Sequence, residues 1–426
     1  MINLIYTSGL ITVLSVISFN IIFFIESYIS SQVGVADFGQ YKFVIKAIHF
    51  ISHIMILGQD YALFYYISRY LKQNLLNDLN GYVRWVFRSL MNRSLVLMAL
   101  SYLCFHYSYI DNSLMIGVIM IPIICVDTIL NKYLLFNKAY LFSFAPRAVI
   151  QSLSFTLMIL GLSFFNTPLT TINIVVCYGA SFVCCCSIYL AMISKFPIPR
   201  AKPRQTDRLQ WINDGFHFTL STFVITLSRS IIYFFVQYYA LWAPAGSLIL
   251  SDATLGFYGA ITTITFAYHL GTKSMESYLK PRITRHLEMN QLDELQMDLK
   301  HVNRFRYLIV WSITLIIVMY PEMILLRFGS IYLTIIPDLV LCTICYHIYT
   351  ICQPALDYMI FGGQQRIVSR ILQVKLVAIC LLSYLLIPRI GLTGAVIADA
   401  IPAALSALAA ALWVWRHSPT RVLAII

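Results

Sequence analysis

Two predicted helices carry ionisable side chains at helical spacing within otherwise apolar segments. The first carries Lys46, His49, His53 and Asp60. The second carries Thr262, Thr265, His269, Lys273 and Glu276. Steps of three and four residues place each set on one helical face. Such groups are costly against lipid, so each face should point into the bundle or into a water-filled cavity, where it could bind an anion or carry a proton.

A single arginine, Arg229, lies near the centre of a third apolar segment. Its guanidinium keeps its proton, and an arginine at this depth costs roughly 2.5 to 3.5 kcal/mol on insertion scales. It therefore needs a partner. One interpretation is a buried ion pair with Glu26 or Asp127, and the other is a bidentate clamp on a diphosphate. Tyr233 and Gln237 follow on the same face and could bind sugar hydroxyls.

Two histidines and two acids occupy matching positions in the two polar helices. His53 and His269 could carry a coupling proton, because histidine titrates near neutral pH, or they could be neutral packing residues. Asp60 and Glu276 could bind a coupling proton or cation, or they could close a gate by pairing with a basic residue. Glu26 is a further candidate for coupling or gating. The candidate basic partners are Arg69, Arg285 and Lys273.

The matching positions of these polar residues reflect a sequence repeat, which indicates two related halves of the chain. ISRYLKQN (67–74) recurs as ITRHLEMN (283–290), and SFNIIFFIESY (18–28) recurs as SRSIIYFFVQY (228–238). Duplicated sets of membrane helices with ionisable groups at depth are typical of secondary transporters. The repeats therefore favour a carrier.

Composition requires that lipid surround most of the chain. Hydrophobic residues make up 59% of the 426 residues and charged residues 11%, against roughly a quarter charged in soluble domains. Apolar runs long enough to cross a bilayer predict twelve spans. They are 4–28, 42–66, 85–107, 113–136, 144–165, 172–194, 214–240, 254–277, 306–326, 334–358, 368–388 and 392–415. The predicted fold class is an all-α polytopic membrane protein.

The distribution of charge sets the predicted orientation. Most of the 30 Lys and Arg residues fall in connections on one side, which the positive-inside rule makes cytoplasmic, together with both termini. The net charge of +12 is thus explained by topology, and nucleic acid is not an expected partner. The Pro-containing stretch 196–213 is the predicted linker between six-helix bundles at 1–195 and 214–426. All ten cysteines fall in predicted spans, so no disulfide framework, metal or cofactor is expected.

Several segments carry a resemblance to a known superfamily. They are SQVGVADFGQYKFVIKAI, ILGQDYALFYYISRYL, DATLGFYGAITTI, SYLKPRITRHLEMNQLDEL and IPRIGLTGAVIADAIP. The chain resembles polysaccharide transporters and Wzx-type O-antigen flippases of the multidrug/oligosaccharidyl-lipid/polysaccharide (MOP) exporter superfamily. The resemblance implies two pseudo-symmetric six-helix bundles around a cavity that opens alternately to each side. It also implies a cargo of polyprenyl-diphosphate-linked oligosaccharide.

The expected function is a flippase that moves this lipid-linked oligosaccharide across a bacterial inner membrane. It would serve O-antigen, capsule or lipopolysaccharide synthesis, use a proton or sodium gradient, and work beside polysaccharide polymerase machinery. No catalytic residue is expected. The alternative is a MATE-like multidrug or cation antiporter, although Lys46, Arg229 and Lys273 favour an anion. A membrane polymerase is a minor alternative, because there is no large external loop and no placed acid–base pair.

Overall fold

The computed structural model describes residues 2–107, 111–136, 140–193, 208–242, 253–289, 291–418 and 422. Some side chains within these helices also lie outside the described part. The described residues are helical and contain no strand. The all-α prediction is therefore confirmed for this part of the chain.

Fourteen α-helices follow one another in the described residues. They are α1 (Ile2–Val33), α2 (Val35–Ile56), α3 (Gln59–Lys72), α4 (Leu76–His106), α5 (Asn112–Phe136), α6 (Tyr140–Ala145), α7 (Gln151–Phe164), α8 (Thr171–Ile193), α9 (Arg208–Trp242), α10 (Ala253–Glu288), α11 (Leu292–Met319), α12 (Pro321–Leu326), α13 (Ile336–Phe361) and α14 (Gln365–His417). A π-helical turn, Pro146–Ile150, joins α6 to α7, and a 3-10 turn, Ser330–Ile335, precedes α13.

Local sequence signals account for several helix boundaries. Asp111 accepts a 3.1 Å hydrogen bond from the backbone N–H of Leu114, which satisfies one of the free donors at the start of α5. At the start of α8, the hydroxyl of Thr170 accepts a 3.3 Å hydrogen bond from the backbone N–H of Asn173. After α13 the chain turns at Gly363, whose φ of +84° is readily adopted by glycine.

The helices form two compact units. The central unit is Tyr41–Ser230, and the split unit is Met1–Gln40 together with Ile231–Ile426. In the split unit α1 packs along α10, which groups the N-terminal helix with the second half of the chain. The predicted division into six-helix bundles at 1–195 and 214–426 stays a prediction.

Every predicted span falls on helical structure. Among the described residues, seven helices are long and apolar enough to cross a membrane. They are Val13–Val33, Asn112–Leu135, Phe142–Phe164, Thr171–Ile193, Leu292–Met319, Ser330–Phe361 and Gln365–His417. The helices that carry the two polar stripes, α2 and α10, are not among the seven. The chain is therefore a polytopic membrane protein in which the polar stripes lie on the less apolar helices.

The last predicted pair of spans forms a tight helical hairpin within α14. Ile390 and Gly391 have non-helical backbone angles, and Gly391 has a φ of +55°. A Cβ on Gly394 would lie 2.6 Å from the carbonyl carbon of Leu386, whereas residues eight apart in a straight helix are about 12 Å apart. The chain therefore reverses here, as the separate spans 368–388 and 392–415 predicted.

The charged stretch 279–304 lies almost entirely within two helices. It is the end of α10 and the beginning of α11. Nη1 of Arg282 donates to both carboxylate oxygens of Asp298 at 2.7 and 2.6 Å, and Nε2 of His286 lies 3.2 Å from the same carboxylate. The helices continue because these charged residues pair with one another across the turn.

The second predicted span is also interrupted. Within 42–66, α2 ends at Ile56 and α3 begins at Gln59. The two residues between them, Leu57 and Gly58, have φ values of +52° and +64°. A right-handed helix cannot continue through left-handed backbone, so this span consists of two helices.

Candidate functional site

In the central unit, the break at Leu57–Gly58 corrects the predicted stripe from Lys46 to Asp60. Lys46 and His53 are half-buried on α2, whereas Asp60 lies in the first turn of α3 and is 4% exposed. The three side chains are therefore not on one continuous helical face. Asp60 and Lys132 still lie close enough for their charges to act on the His53 ring.

His49, another residue of α2, lies close to aromatic side chains of α8 and to Arg147. Nε2 of His49 and the hydroxyl of Tyr178 on α8 are hydrogen-bonded at 2.7 Å, and the His49 ring packs edge-on against Phe182. The guanidinium of Arg147 lies over the Phe182 ring at 5.9 Å, and its Nε is 3.8 Å from Oδ2 of Asp127. Arg147 belongs to the π-helical turn, an irregularity that occurs often at functional sites.

Lys46 completes this group, because both Lys46 and Arg147 are near enough to His49 for their charges to act on its ring. We call Lys46, His49 and Arg147 the basic cluster. Its three nitrogen-bearing side chains come from α2 and the π-helical turn. Two of them, the half-buried Lys46 and the partly exposed Arg147, carry permanent positive charge, and Arg147 lies beside the carboxylate of Asp127. The cluster is therefore suited to an anionic ligand.

Three predicted site residues cannot be placed by their side chains. Arg229 lies on α9, and Lys273 and Glu276 lie on α10, but their side chains are outside the described part of the structure. Glu26 and Asp127, the alternative partners predicted for Arg229, both contact other groups. Asp127 lies beside Arg147 as described, and Glu26 is considered next.

In the split unit the structure brings Glu26 and Tyr233 together through consecutive threonines of α10. Glu26 on α1 is 8% exposed and accepts a short hydrogen bond from the hydroxyl of Thr263. The hydroxyl of Tyr233 on α9 is 2.7 Å from Oγ1 of Thr262. The polar positions of α9 and α10 thus face each other inside this unit, as the stripe predicted for Thr262.

A second carboxylate, Asp399, lies near this group. It is 7% exposed and its Oδ2 accepts hydrogen bonds from the hydroxyls of Tyr258, at 2.8 Å, and Tyr346, at 3.1 Å. The rings of Tyr233 and Tyr258 pack edge to face with centroids 5.0 Å apart. We call this set the carboxylate–hydroxyl cluster; its members are Glu26, Tyr233, Tyr258, Thr262, Thr263, Tyr346 and Asp399.

Gln237 and His269 are the other predicted residues of the split unit with described side chains. Oε1 of Gln237 is buried and has no hydrogen-bond partner among the described residues. The ring of His269 packs against Phe266 at 5.6 Å. Among the residues that the structure describes, no group of three or more His, Cys, Asp or Glu side chains is placed to hold a metal ion.

Sequence reasoning selected neither Arg147 nor Asp399 as a site residue. The signal for Asp399 was a single acid within the small, apolar segment GAVIADAIPAAL. Buried carboxylates and hydroxyls inside a membrane mark proton relays and ion pathways, so its rarity was informative. Arg147 gave no such signal, because it looked like an interfacial charge at the start of a span.

The fold is shared with solved transporter structures. No protein-family model and no curated protein sequence matches the chain. The lipid II flippase MurJ, in an inward closed conformation, superposes with a TM-score of 0.73 at 13% identity, covering 95% of this chain and 87% of that chain. An inward-facing multidrug resistance MATE family transporter of the MOP superfamily gives 0.69 at 12% identity, covering 93% of each chain.

A third similar structure is a MOP superfamily transporter from Pyrococcus furiosus, for which reverse polarity of the binding pocket suggests a different function. It gives a TM-score of 0.66 at 13% identity, covering 96% of this chain and 94% of that chain. Identities this low establish the fold alone. The predicted fold class is confirmed: the chain is an all-α polytopic membrane protein with the fold of MOP superfamily transporters.

Proposed function

We propose that this chain, with its MOP transporter fold, is a flippase for a polyprenyl-diphosphate-linked oligosaccharide. It moves this cargo from the inner to the outer leaflet of a bacterial cytoplasmic membrane by alternating access, in the synthesis of O-antigen, capsule or another surface polysaccharide. The fold supports transport, since similar structures include both a lipid II flippase and MATE transporters. The sequence resemblance supports the glycan.

The observation that carries the proposal is the basic cluster of the central unit. Lys46 and Arg147 place two permanent positive charges near the His49 ring within a membrane fold, where charge is costly. A diphosphate is a ligand that would neutralise such a site, and the guanidinium of Arg147 can bind it in bidentate geometry. Arg229 and Lys273 extend the proposal as further cationic residues, with Tyr233 and Gln237 as sugar-binding candidates. The polyprenyl chain would stay in the lipid.

We further propose that the carboxylate–hydroxyl cluster binds the coupling proton or sodium ion. Glu26 and Asp399 supply two buried carboxylates, and tyrosine and threonine hydroxyls surround them. Oxygen ligands of this kind suit a small hard cation. His53 with Asp60, and His269 with Glu276, remain second candidates for coupling or gating. Released repeat units would pass to a polysaccharide polymerase at the outer face.

The second candidate function is a MATE-like multidrug or cation antiporter. One observation favours it: the carboxylate–hydroxyl cluster, with its buried carboxylates and tyrosine rings, could accept a lipophilic cation. The basic cluster argues against it, because like charges repel the cargo. The two functions therefore predict opposite responses to a change of charge at Lys46.

The test is transport by the purified full-length protein in proteoliposomes with a fluorescent polyprenyl-diphosphate oligosaccharide. For the flippase, Lys46→Glu should lower the flipping rate at least about tenfold, because like charges at close range cost several kcal/mol at the moderate effective dielectric of a protein site. Arg229→Glu should act in the same direction. The matched control is Arg389→Glu, which reverses the charge of an exposed residue at the α14 hairpin.

The cation antiporter predicts the reverse pattern. Efflux of a lipophilic dye cation by the same vesicles would then be preserved or increased in Lys46→Glu, and wild-type protein would not flip the glycan. In cells, deletion of the gene should leave undecorated lipid-linked repeat units on the cytoplasmic side. Normal surface polysaccharide after deletion would contradict the flippase.

A further inference from the structure

The interruption between α2 and α3 is strained. Leu57 has a φ of +52° and Gly58 a φ of +64°. Glycine adopts such angles readily, but a branched side chain such as leucine does so at a cost and only where its surroundings hold it. The backbone is nevertheless well ordered on both sides, since Leu57 N–H donates to Ile54 O and Ala62 N–H donates to Gly58 O, each at 3.0 Å.

Gln59 is the residue that fixes this break. Its side chain is fully buried, and its Nε2 donates to the backbone carbonyl of Trp211 at 3.1 Å and more weakly to that of Leu57 at 3.5 Å. Its Oε1 accepts from the hydroxyl of Tyr82 at 2.9 Å. One amide group therefore joins the break to α4 and to the start of α9.

The start of α9 packs closely against the break at Gly215, where any residue with a Cβ atom would clash. A Cβ on Gly215 would be 2.1 Å from Nε2 of Gln59 and 2.7 Å from the carbonyl oxygen of Leu57. One turn earlier, Trp211 donates from Nε1 to the hydroxyl of Tyr70 at 2.8 Å. All of these contacts lie within the central unit, so the break is held by packing and hydrogen bonds from two further helices.

The break is absent from the equivalent place in the second half. The repeat that pairs Asp60 with Glu276 pairs Leu57 with Lys273 and Gly58 with Ser274. Those residues lie inside α10, which is continuous from Ala253 to Glu288. The shared architecture of the halves therefore does not require a break, and the strain in the first half needs another explanation.

We propose that the Leu57–Gly58 break is a hinge of the transport cycle and that Gln59 is the positioning residue that holds it in the conformation seen here. The hinge lies between His53 and Asp60, so its angle sets the distance between these two ionisable groups. Breaking the Gln59 contacts lets α3 reorient against α9. This inference rests on the proposed transport function for the role of the motion, but the hinge itself can be measured without a cargo.

The first experiment measures hydrogen–deuterium exchange of the full-length protein in nanodiscs. Gln59→Leu replaces the amide with an apolar side chain of similar size and removes its three hydrogen bonds, of which the one to Leu57 O is weak. The amides of 56–62 should therefore exchange roughly three- to tenfold faster. Amides of α8 should not change. Tyr82→Phe, which removes a single hydrogen bond and preserves packing, should give a smaller change at the same amides.

A second variant separates hydrogen bonding from packing. Gln59→Glu keeps the shape, and only its protonated form can still donate to Trp211 O. Its exchange at 56–62 should therefore approach the wild-type rate as the pH is lowered, whereas a role in packing alone predicts no dependence on pH beyond that of the wild type.

The third arm tests movement during transport. Gly58→Ala places a Cβ on a residue with positive φ, which disfavours the bent state and should slow flipping about tenfold. Gly34→Ala is the control, because Gly34 also has positive φ, +84°, joins two helices and has open space for a Cβ; it should stay within about twofold of wild type.

Two results would overturn the hinge: unchanged exchange at 56–62 in both Gln59→Leu and Tyr82→Phe, or equal transport by Gly58→Ala and Gly34→Ala. Faster exchange in a protein that flips no glycan would refute the proposed function and leave the hinge in place.

Discussion

The hydroxyl of Tyr258 donates a 2.8 Å hydrogen bond to Oδ2 of Asp399, and both residues are buried inside the split unit. The two residues are 141 positions apart in the sequence. Tyr346 donates to the same oxygen, so the carboxylate is surrounded by hydroxyl groups. A carboxylate held in this way has its orientation fixed before a cation or proton arrives.

Removing the Tyr258 hydroxyl tests this arrangement. Tyr258→Phe should lower the proton concentration needed for half-maximal transport about tenfold, because the Tyr258 hydroxyl stabilises the ionised form of Asp399 and hydrogen bonds to a charged group contribute roughly 1.5 to 3 kcal/mol. Transport as a function of pH measures the effect. Tyr320→Phe, at an exposed tyrosine, is the control. Identical ion dependence in both variants would mean that the Tyr258–Asp399 contact serves only to pack the helices.

The contact between Arg147 and Asp127 makes a prediction about stability. Asp127 is fully buried, so Arg147→Gln leaves a buried carboxylate without its neighbouring positive charge and should destabilise the protein by about 1 kcal/mol, a value kept small because Arg147 is 39% exposed. Asp127→Asn in the same protein should restore most of the loss. Thermal unfolding in detergent of the two single variants and the double variant gives the coupling, and strictly additive changes would argue against an interaction.

Gly215 should not tolerate alanine, although it lies inside a helix. Alanine normally stabilises a helix interior by roughly 0.5–1 kcal/mol over glycine. Here its Cβ would overlap the backbone oxygen of Leu57, which cannot move as easily as a side chain, so Gly215→Ala should lower the unfolding temperature by several degrees.

The matched control for Gly215 is Gly161 on α7, where a Cβ meets nothing within 4 Å. Gly161→Ala should leave the unfolding temperature unchanged or raise it slightly. Equal temperatures for the two alanine variants would show that α9 can withdraw from the break without loss of stability.

The chain after α14 should depend on a buried asparagine. Nδ2 of Asn303 on α11 donates to the backbone carbonyl of Val422 at 2.7 Å, and both residues are buried. Asn303→Ala should release this segment and make it several-fold more sensitive to carboxypeptidase, since terminal segments resist proteolysis only while their backbone is held. Asn173→Ala, which removes a hydrogen bond from a half-buried asparagine in the central unit, should leave cleavage unchanged. Unaltered cleavage in Asn303→Ala would mean that Val422 is held mainly by its apolar contacts.

Much of the local structure could be predicted without coordinates. A bilayer has no water with which to satisfy the backbone, so long apolar runs must be helices. The described residues of the twelve predicted spans lie on helices, with interruptions at Leu57–Gly58 and at Tyr320. Gly391 lay between the last two runs, and the chain turns there. Gly58 was an equally visible glycine, but it sits in the middle of an apolar run, and hydropathy alone treats such a run as one span.

The site was predictable only in part. The spacing of α10 predicted Thr262 on a polar face, and in three dimensions its hydroxyl lies 2.7 Å from the hydroxyl of Tyr233. The stripe from Lys46 to Asp60 was wrong as a single face, because its derivation assumed an unbroken helix. The role of Arg147 depended on a π-helical turn and on Asp127, and neither feature follows from the spacing of charges.

The sequence by itself determined that this is an all-α membrane protein, and it predicted duplicated halves with ionisable groups at depth. Those properties follow from periodicity and from the cost of exposing polar groups to lipid. Each of these can be judged from one segment of the sequence at a time. Only the tertiary structure decided which polar groups meet: Glu26 with Thr263, Asp399 with Tyr258, and Gln59 with Trp211. These partners lie far apart in the chain, and their contact depends on how whole helices pack.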